Sequence, residues 1–230
     1  MSTDEASVSG LLLVDKPAGI TSHDVVDIAR RAYGERSIGH LGTLDPFATG
    51  LLVLLLGRAT RLATFIQNEP KVYDAVIRFG EETDTCDPTG EVIRTAPVPD
   101  RETVLRAITS LTGRLDQVPP EFSAKKVAGA PAYRAARAGE TVTLNAVPVE
   151  VHEWSVASLD RDELRASITC GGGTYIRALA RDLGRITGSA AHLTTLRRMR
   201  SGEFDVADAA SIDDLRQRRP TLRALRVVAE

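Results

Sequence analysis

The sequence predicts an α+β fold: a mixed, largely antiparallel central sheet flanked by helices. Strand-like and helix-like segments interleave irregularly, without the strict alternation of a doubly wound sheet. The run Leu51 to Leu56 is apolar throughout, as a central strand buried on both faces should be. Lys71 to Phe79 alternates apolar and polar side chains, the pattern of a strand with two different faces.

The elements follow in order. Gly10 to Val14 reads as a short buried strand, stopped by Lys16-Pro17 and Gly19. Thr21 or Ser22 can cap a helix that runs to Tyr33, with Val25, Ile28, Ala29 and Ala32 on one side and Gly34 as its stop. Ser37 to Thr49 is rich in glycine and reads as a loop, and Arg58 to Gln67 as a helix. Asp100 caps a helix over Arg101 to Leu111. Gln117 to Gly129 is extended and broken by proline, and Pro131 opens a short helix to Ala138. Thr141 to Cys170 holds two or three strands with a turn near Asp160. A helix from Thr174 to Ile186, a last strand from His192 to Arg200 and a short helix near Ile212 to Gln217 complete the chain. Residues 1–9 read as a polar tail, 10–200 as one domain and 201–230 as a short extension.

Composition narrows the function. Hydrophobic residues at 43% and charged residues at 26% are ordinary for a globular protein, and no apolar run is long enough to span a bilayer. Cys86 and Cys170 lie far apart and form no CxxC pair, so neither a disulfide framework nor a metal site is expected, and the cytoplasm is the expected compartment. The net charge of −2 is unlike that of a uniformly basic nucleic-acid binder. Charge is segregated along the chain, however. Residues 81–102 are acid-rich, and residues 176–200 carry Arg177, Arg181, Arg185, Arg197, Arg198 and Arg200 against Asp182 alone. Such a stretch could present a phosphate-binding face or could simply form solvated helix faces.

The most informative segment is Gly39-His-Leu-Gly-Thr-Leu-Asp-Pro-Phe-Ala-Thr-Gly50, directly before the apolar strand. Its three glycines permit backbone shapes closed to other residues, and Pro46 stiffens the chain beyond Asp45. A carboxylate on a stiff loop beside a buried strand suits nucleophilic or general-base work. On these residues alone an Asp-Pro turn in a polar loop is the more ordinary reading.

The segment closely resembles the motif of TruB-type pseudouridine synthases. Further stretches are similar to that family in the right order: VDKPAGITSHDVV from Val14, Lys71-Val-Tyr73 with Phe79-Gly80, Pro119-Pro120 through Ser123-Ala124-Lys125-Lys126 to Gly129, and Gly173-Thr-Tyr-Ile-Arg177. The resemblance covers roughly residues 10–200. Leu41, Val53 and Lys125 depart from the usual pattern without removing a catalytic group.

The resemblance implies isomerisation of a uridine in the T-arm loop of tRNA, with the N1–C1′ bond broken and a C5–C1′ bond formed. It implies Asp45 as the catalytic carboxylate, which leaves attack at C1′, attack on the pyrimidine ring and a glycal-like route all open. Tyr73 then lies against the base, and Arg177 pairs with the carboxylate and keeps it ionised. Tyr175, two residues before Arg177, points into the same pocket if that turn is extended. His40 helps hold the opened loop, and Lys16, Lys126, Arg137 and the arginines of 177–200 contact phosphates. No cofactor, metal or protein partner is implied, and a monomer is expected. Residues 201–230 are too few for the C-terminal PUA-type domain of many relatives. The rival reading is a non-catalytic RNA-binding or tRNA-folding protein on the same fold.

Overall fold

A computed structural model describes residues 8–66, 69–123, 126–127, 130–131 and 144–224. The strands are β1 (Gly10–Lys16), β2 (Ile38–His40), β3 (Thr49–Leu56), β4 (Lys71–Phe79), β5 (Glu81–Thr83), β6 (Val92–Thr95), β7 (Gly113–Gln117), β8 (Lys126–Val127), β9 (Ala130–Pro131), β10 (Val147–Asp160), β11 (Glu163–Cys170), β12 (Ala191–Ser201), β13 (Phe204–Asp205) and β14 (Ala210–Ser211). The α-helices are α1 (Ser22–Tyr33), α2 (Arg101–Ser110), α3 (Ile176–Ile186) and α4 (Ile212–Arg218). The chain divides into two compact units, one of residues 1–71 and 197–230, the other of residues 72–196. Both are α+β and largely antiparallel, as expected from the sequence.

In the first unit β1 pairs antiparallel with β3 from Gly10 opposite Leu56 to Lys16 opposite Gly50. Parallel partners lie on either side, β14 against β1 and the end of β12 against Thr49 and Gly50 of β3. Because side chains alternate across a strand, the apolar run of β3 feeds two cores. Leu52, Leu54 and Leu56 join Leu12, Val14 and the Val25, Val26 and Ala29 face of α1. Leu51, Val53 and Leu55 join Leu11, Leu13, Phe204 and Val206.

Helix α1 begins as its sequence dictates. The Thr21 hydroxyl accepts from the Asp24 amide at 3.0 Å and the Asp24 carboxylate accepts from the Thr21 amide at 2.7 Å, while Gly34 closes the helix at φ 66°. The Thr21 hydroxyl, donating to the Asp24 carboxylate at 2.7 Å, and then the Thr21 amide hold that carboxyl below its ordinary pKa. Thr21→Ala is expected to cost about 1 kcal/mol, read as a lower midpoint in urea with an unchanged slope.

In the second unit the strands lie in the order β4-β11-β10-β7, with Ala191–Leu196 of β12 on the other side of β4. Strands β10 and β11 form a long hairpin whose turn places Arg161 at φ 50°. Ile77, Val151, Leu164 and Ile168 are buried in this sheet, as are Val104 and Ile108 of α2 and Leu179 and Leu183 of α3.

Several elements differ from the sequence reading. The loop after Ser37 contains β2, whose backbone bonds to β3 rather than to its own neighbours. The helix expected over Arg58 to Gln67 is a 3₁₀ helix, Gly57–Phe65. The strand read as the last is followed by β13 and β14, two residues each and too short to show a period. Pro131 belongs to β9, and the remainder of the helix expected to Ala138 lies outside the described residues.

Candidate active site

In the first unit the residues around Asp45 are tied down on both sides. The Ser22 hydroxyl, at the start of α1, donates to the Leu44 carbonyl at 3.1 Å and accepts from the Leu44 amide at 2.9 Å. The Pro46 carbonyl accepts from the Gly19 amide at 2.8 Å, and the Asp45 carbonyl from the Ala48 amide at 3.1 Å. Asp45 itself is half-buried. A carboxylate whose two chain neighbours are fixed has little freedom to leave its place, which is the preorganisation a reacting group needs.

Lys16 is fully buried at the end of β1. Its ammonium donates to the carbonyls of Pro17 at 2.9 Å, Ile20 at 2.8 Å and Pro46 at 3.3 Å. The expectation that Lys16 contacts phosphate is therefore corrected: its three protons are directed at carbonyls and no face of it meets solvent. It joins the Pro17–Ile20 turn to the Asp45 loop instead. Burial lowers its pKa from 10.5 to about 8, with the Asp45 carboxylate opposing that shift and Arg198 adding to it. Between those values the unfolded chain holds a proton that the native protein has lost, so this group makes stability rise with pH. The rise should approach about 1.4 kcal/mol per pH unit in that window. It should be absent from Lys16→Met when urea unfolding of the two proteins is compared from pH 7 to 10.

His40, at the end of β2, is half-buried, and its Nδ1 has no hydrogen-bond partner among the described residues. Burial, then Arg198 and His23, lower its pKa, which favours the neutral ring.

In the second unit the start of α3 is held against the segment after β7. The Gln117 amide group pairs with the Tyr175 backbone like a strand neighbour, donating to its carbonyl at 3.1 Å and accepting from its amide at 2.9 Å. Arg177 is 3% exposed and donates to the carbonyls of Thr85 and Phe122, both at 2.9 Å, with the Asp87 carboxylate 3.6 Å away. Arg181 donates to the Val118 carbonyl at 2.7 Å. Tyr175 is extended at φ −96° and serves as the helix cap, whereas Arg177 is already helical. The shared direction expected of an extended turn thus ends at Tyr175. Tyr73 lies on β4 and is buried. Lys126 lies in β8, and its side chain, like the whole of Arg137, lies outside the described residues.

Folding brings part of the charge segregated along the sequence together. Arg177, Arg181 and Arg198 are buried. Arg185 and Arg94 both pair with the buried Glu82 of the acidic stretch, Arg197 with Asp15 and Arg200 with Asp205. Among the described residues each of the six arginines of 176–200 is thus either buried or paired with an acid. Ser22, Gln117 and the buried placement of Arg198 were not identified from the sequence; each acts through backbone carbonyls or amides, which leave no motif.

Among the described residues no cluster of three or more His, Cys, Asp and Glu could hold a metal, and no helix is long and apolar enough to cross a membrane. Cys86 and Cys170 are both buried.

A model for the TruB family pseudouridylate synthase N-terminal domain matches residues 30–176, and one for the tRNA pseudouridylate synthase B C-terminal domain matches residues 177–225. The chain is 50% identical over 216 residues to the tRNA pseudouridine synthase B of Thermobifida fusca, covering 90% of this chain and 74% of that protein. It is 45% identical over 219 residues to the Mycobacterium tuberculosis protein of the same name, covering 93% and 74%. Among solved structures, a Cbf5-Nop10-Gar1 complex contains a chain that superimposes with a TM-score of 0.69 at 26% identity, over 89% of this chain and 53% of that one. An archaeal box H/ACA sRNP Nop10-Cbf5 complex gives 0.65 at 25% identity, over 90% and 52%. The chain thus spans about half the length of these solved chains.

Proposed function

The chain belongs to the TruB family of pseudouridylate synthases, and from that premise we propose that it isomerises a uridine in the T-arm loop of tRNA to pseudouridine. The observation that carries the reading is Asp45, half-buried on a loop fixed at Leu44 and Pro46. The N1–C1′ bond of the uridine breaks, the base turns, and C5 bonds to C1′ while its hydrogen leaves as a proton and N1 takes up another. No atom or electron is gained or lost overall, so the reaction calls for no redox cofactor.

Asp45 supplies the carboxylate. Tyr73 and Tyr175 offer aromatic surface to the base, which must leave its stack to react. The cation that favours an ionised carboxylate is Arg177. His40, its neutral ring favoured by burial, contacts the opened RNA loop. Lys126 and Arg137 remain the proposed phosphate contacts. The protein acts as a monomer in the cytoplasm, without a protein partner; its tRNA substrate and its two cysteines, far apart and without a CxxC pair, support that compartment.

Tritium release from T-arm RNA carrying 5-tritiated uridine tests the reading. Release at a rate proportional to enzyme is expected. Tight RNA binding with no release would make the protein an RNA binder instead.

A further inference from the structure

We propose that Arg198 is a positioning residue for the reaction, its guanidinium tying the two ends of the Asp45 loop, Gly42 and Leu51, to strand β12. The Arg198 Nε donates to the Leu51 carbonyl at 2.7 Å and one terminal nitrogen donates to the Gly42 carbonyl at 3.0 Å. Asp45 lies in the segment between these two carbonyls. A guanidinium is planar and rigid, so bonds from one such group fix the separation and relative orientation of both ends. The backbone of Arg198 meets the same loop, lying directly opposite Gly50 in the β12–β3 register.

Stability alone does not call for this residue. Arg198 is 1% exposed, and among the described residues no carboxylate lies within ion-pair distance of it. Desolvating a guanidinium carries a large penalty, which an apolar side chain of similar volume avoids. What an apolar side chain cannot do is bridge two carbonyls. The charge of Arg198 also reaches the neighbouring basic groups of this unit, contributing to the lowered pKa of both Lys16 and His40.

The inference rests on Asp45 being the catalytic carboxylate, and the test separates the two. Single-turnover isomerisation and RNA affinity are measured for the wild type, Asp45→Asn, Arg198→Met and Arg198→Lys. Arg198→Met is expected to lose about 100-fold in single-turnover rate, the scale of a misplacement near 1 Å, with RNA affinity unchanged. Arg198→Lys, able to donate to one carbonyl but lacking the fork, should fall between. In Arg198→Ala, millimolar guanidinium should restore part of the rate, and in Arg198→Met the His40 ring should titrate at higher pH by NMR. A wild-type rate in Arg198→Met, or a loss of RNA affinity equal to the loss of rate, overturns the inference. Should Arg198→Met not fold, Arg198→Lys decides: a wild-type rate overturns it, and a slower rate at unchanged affinity upholds it. If Asp45→Asn keeps its rate, the reading of Asp45 itself fails and this inference with it.

Discussion

Asp45→Asn is expected to abolish tritium release from 5-tritiated T-arm RNA, a loss of about 10⁴-fold or more of the kind seen when a central catalytic group is removed. The substitution keeps the shape of the side chain and removes its charge. The loop around it should hold, because its anchors at Leu44, Pro46, Gly42 and Leu51 are all main-chain groups that do not involve the Asp45 side chain. RNA affinity and thermal stability should therefore stay near those of the wild type. That pattern separates chemistry from folding. A variant that released tritium normally would remove Asp45 from the mechanism. One that lost binding in step with activity would show that the carboxylate serves recognition.

The largest expected effect on stability is at Gly50. Its φ is +100°, in the left-handed half of backbone space that side chains other than glycine rarely adopt. A Cβ there would lie 2.3 Å from the Arg198 carbonyl oxygen and 2.8 Å from the Arg198 amide nitrogen. Both obstacles are main-chain atoms of β12, so no side-chain rotation relieves the clash. The strands must separate instead, and Gly50 is also opposite Lys16 in the β1–β3 ladder. Gly50→Ala is expected to destabilise by about 3 kcal/mol or more, combining backbone strain with overpacking. Gly39→Ala provides the control. Gly39 lies in β2, and a Cβ there meets nothing within 4 Å, so a change below about 1 kcal/mol is expected. Urea unfolding of the two variants checks the contrast, and equal midpoints would refute the steric account.

Much of the fold was legible because the rules that shape it are local. Thr21, Asp24 and Gly34 mark the ends of α1 through bonds spanning three or four residues. The apolar composition of Leu51 to Leu56 announced a strand buried on both faces before any partner was known. Asp160 and Glu163 face each other across the turn expected near Asp160. The short strands β2, β13 and β14 were missed because two or three residues carry no readable period, and their bonds are to segments distant in sequence.

The sequence by itself determined the α+β class, the principal strands and helices, and, through the segment around Asp45, the family. Only the tertiary structure decided what the charged residues do. Lys16 and Arg198 look like surface cations in a string of letters, yet both are buried and hold loop carbonyls. The arginines of 176–200 and the acids of 81–102 look like separate patches, yet Glu82 pairs with Arg185 and Asp87 lies beside Arg177. The physical reason is common to all of these. A buried cation is satisfied by whatever oxygens the fold brings to it, and a main-chain carbonyl is present at every residue, so nothing in the sequence marks which carbonyl is used.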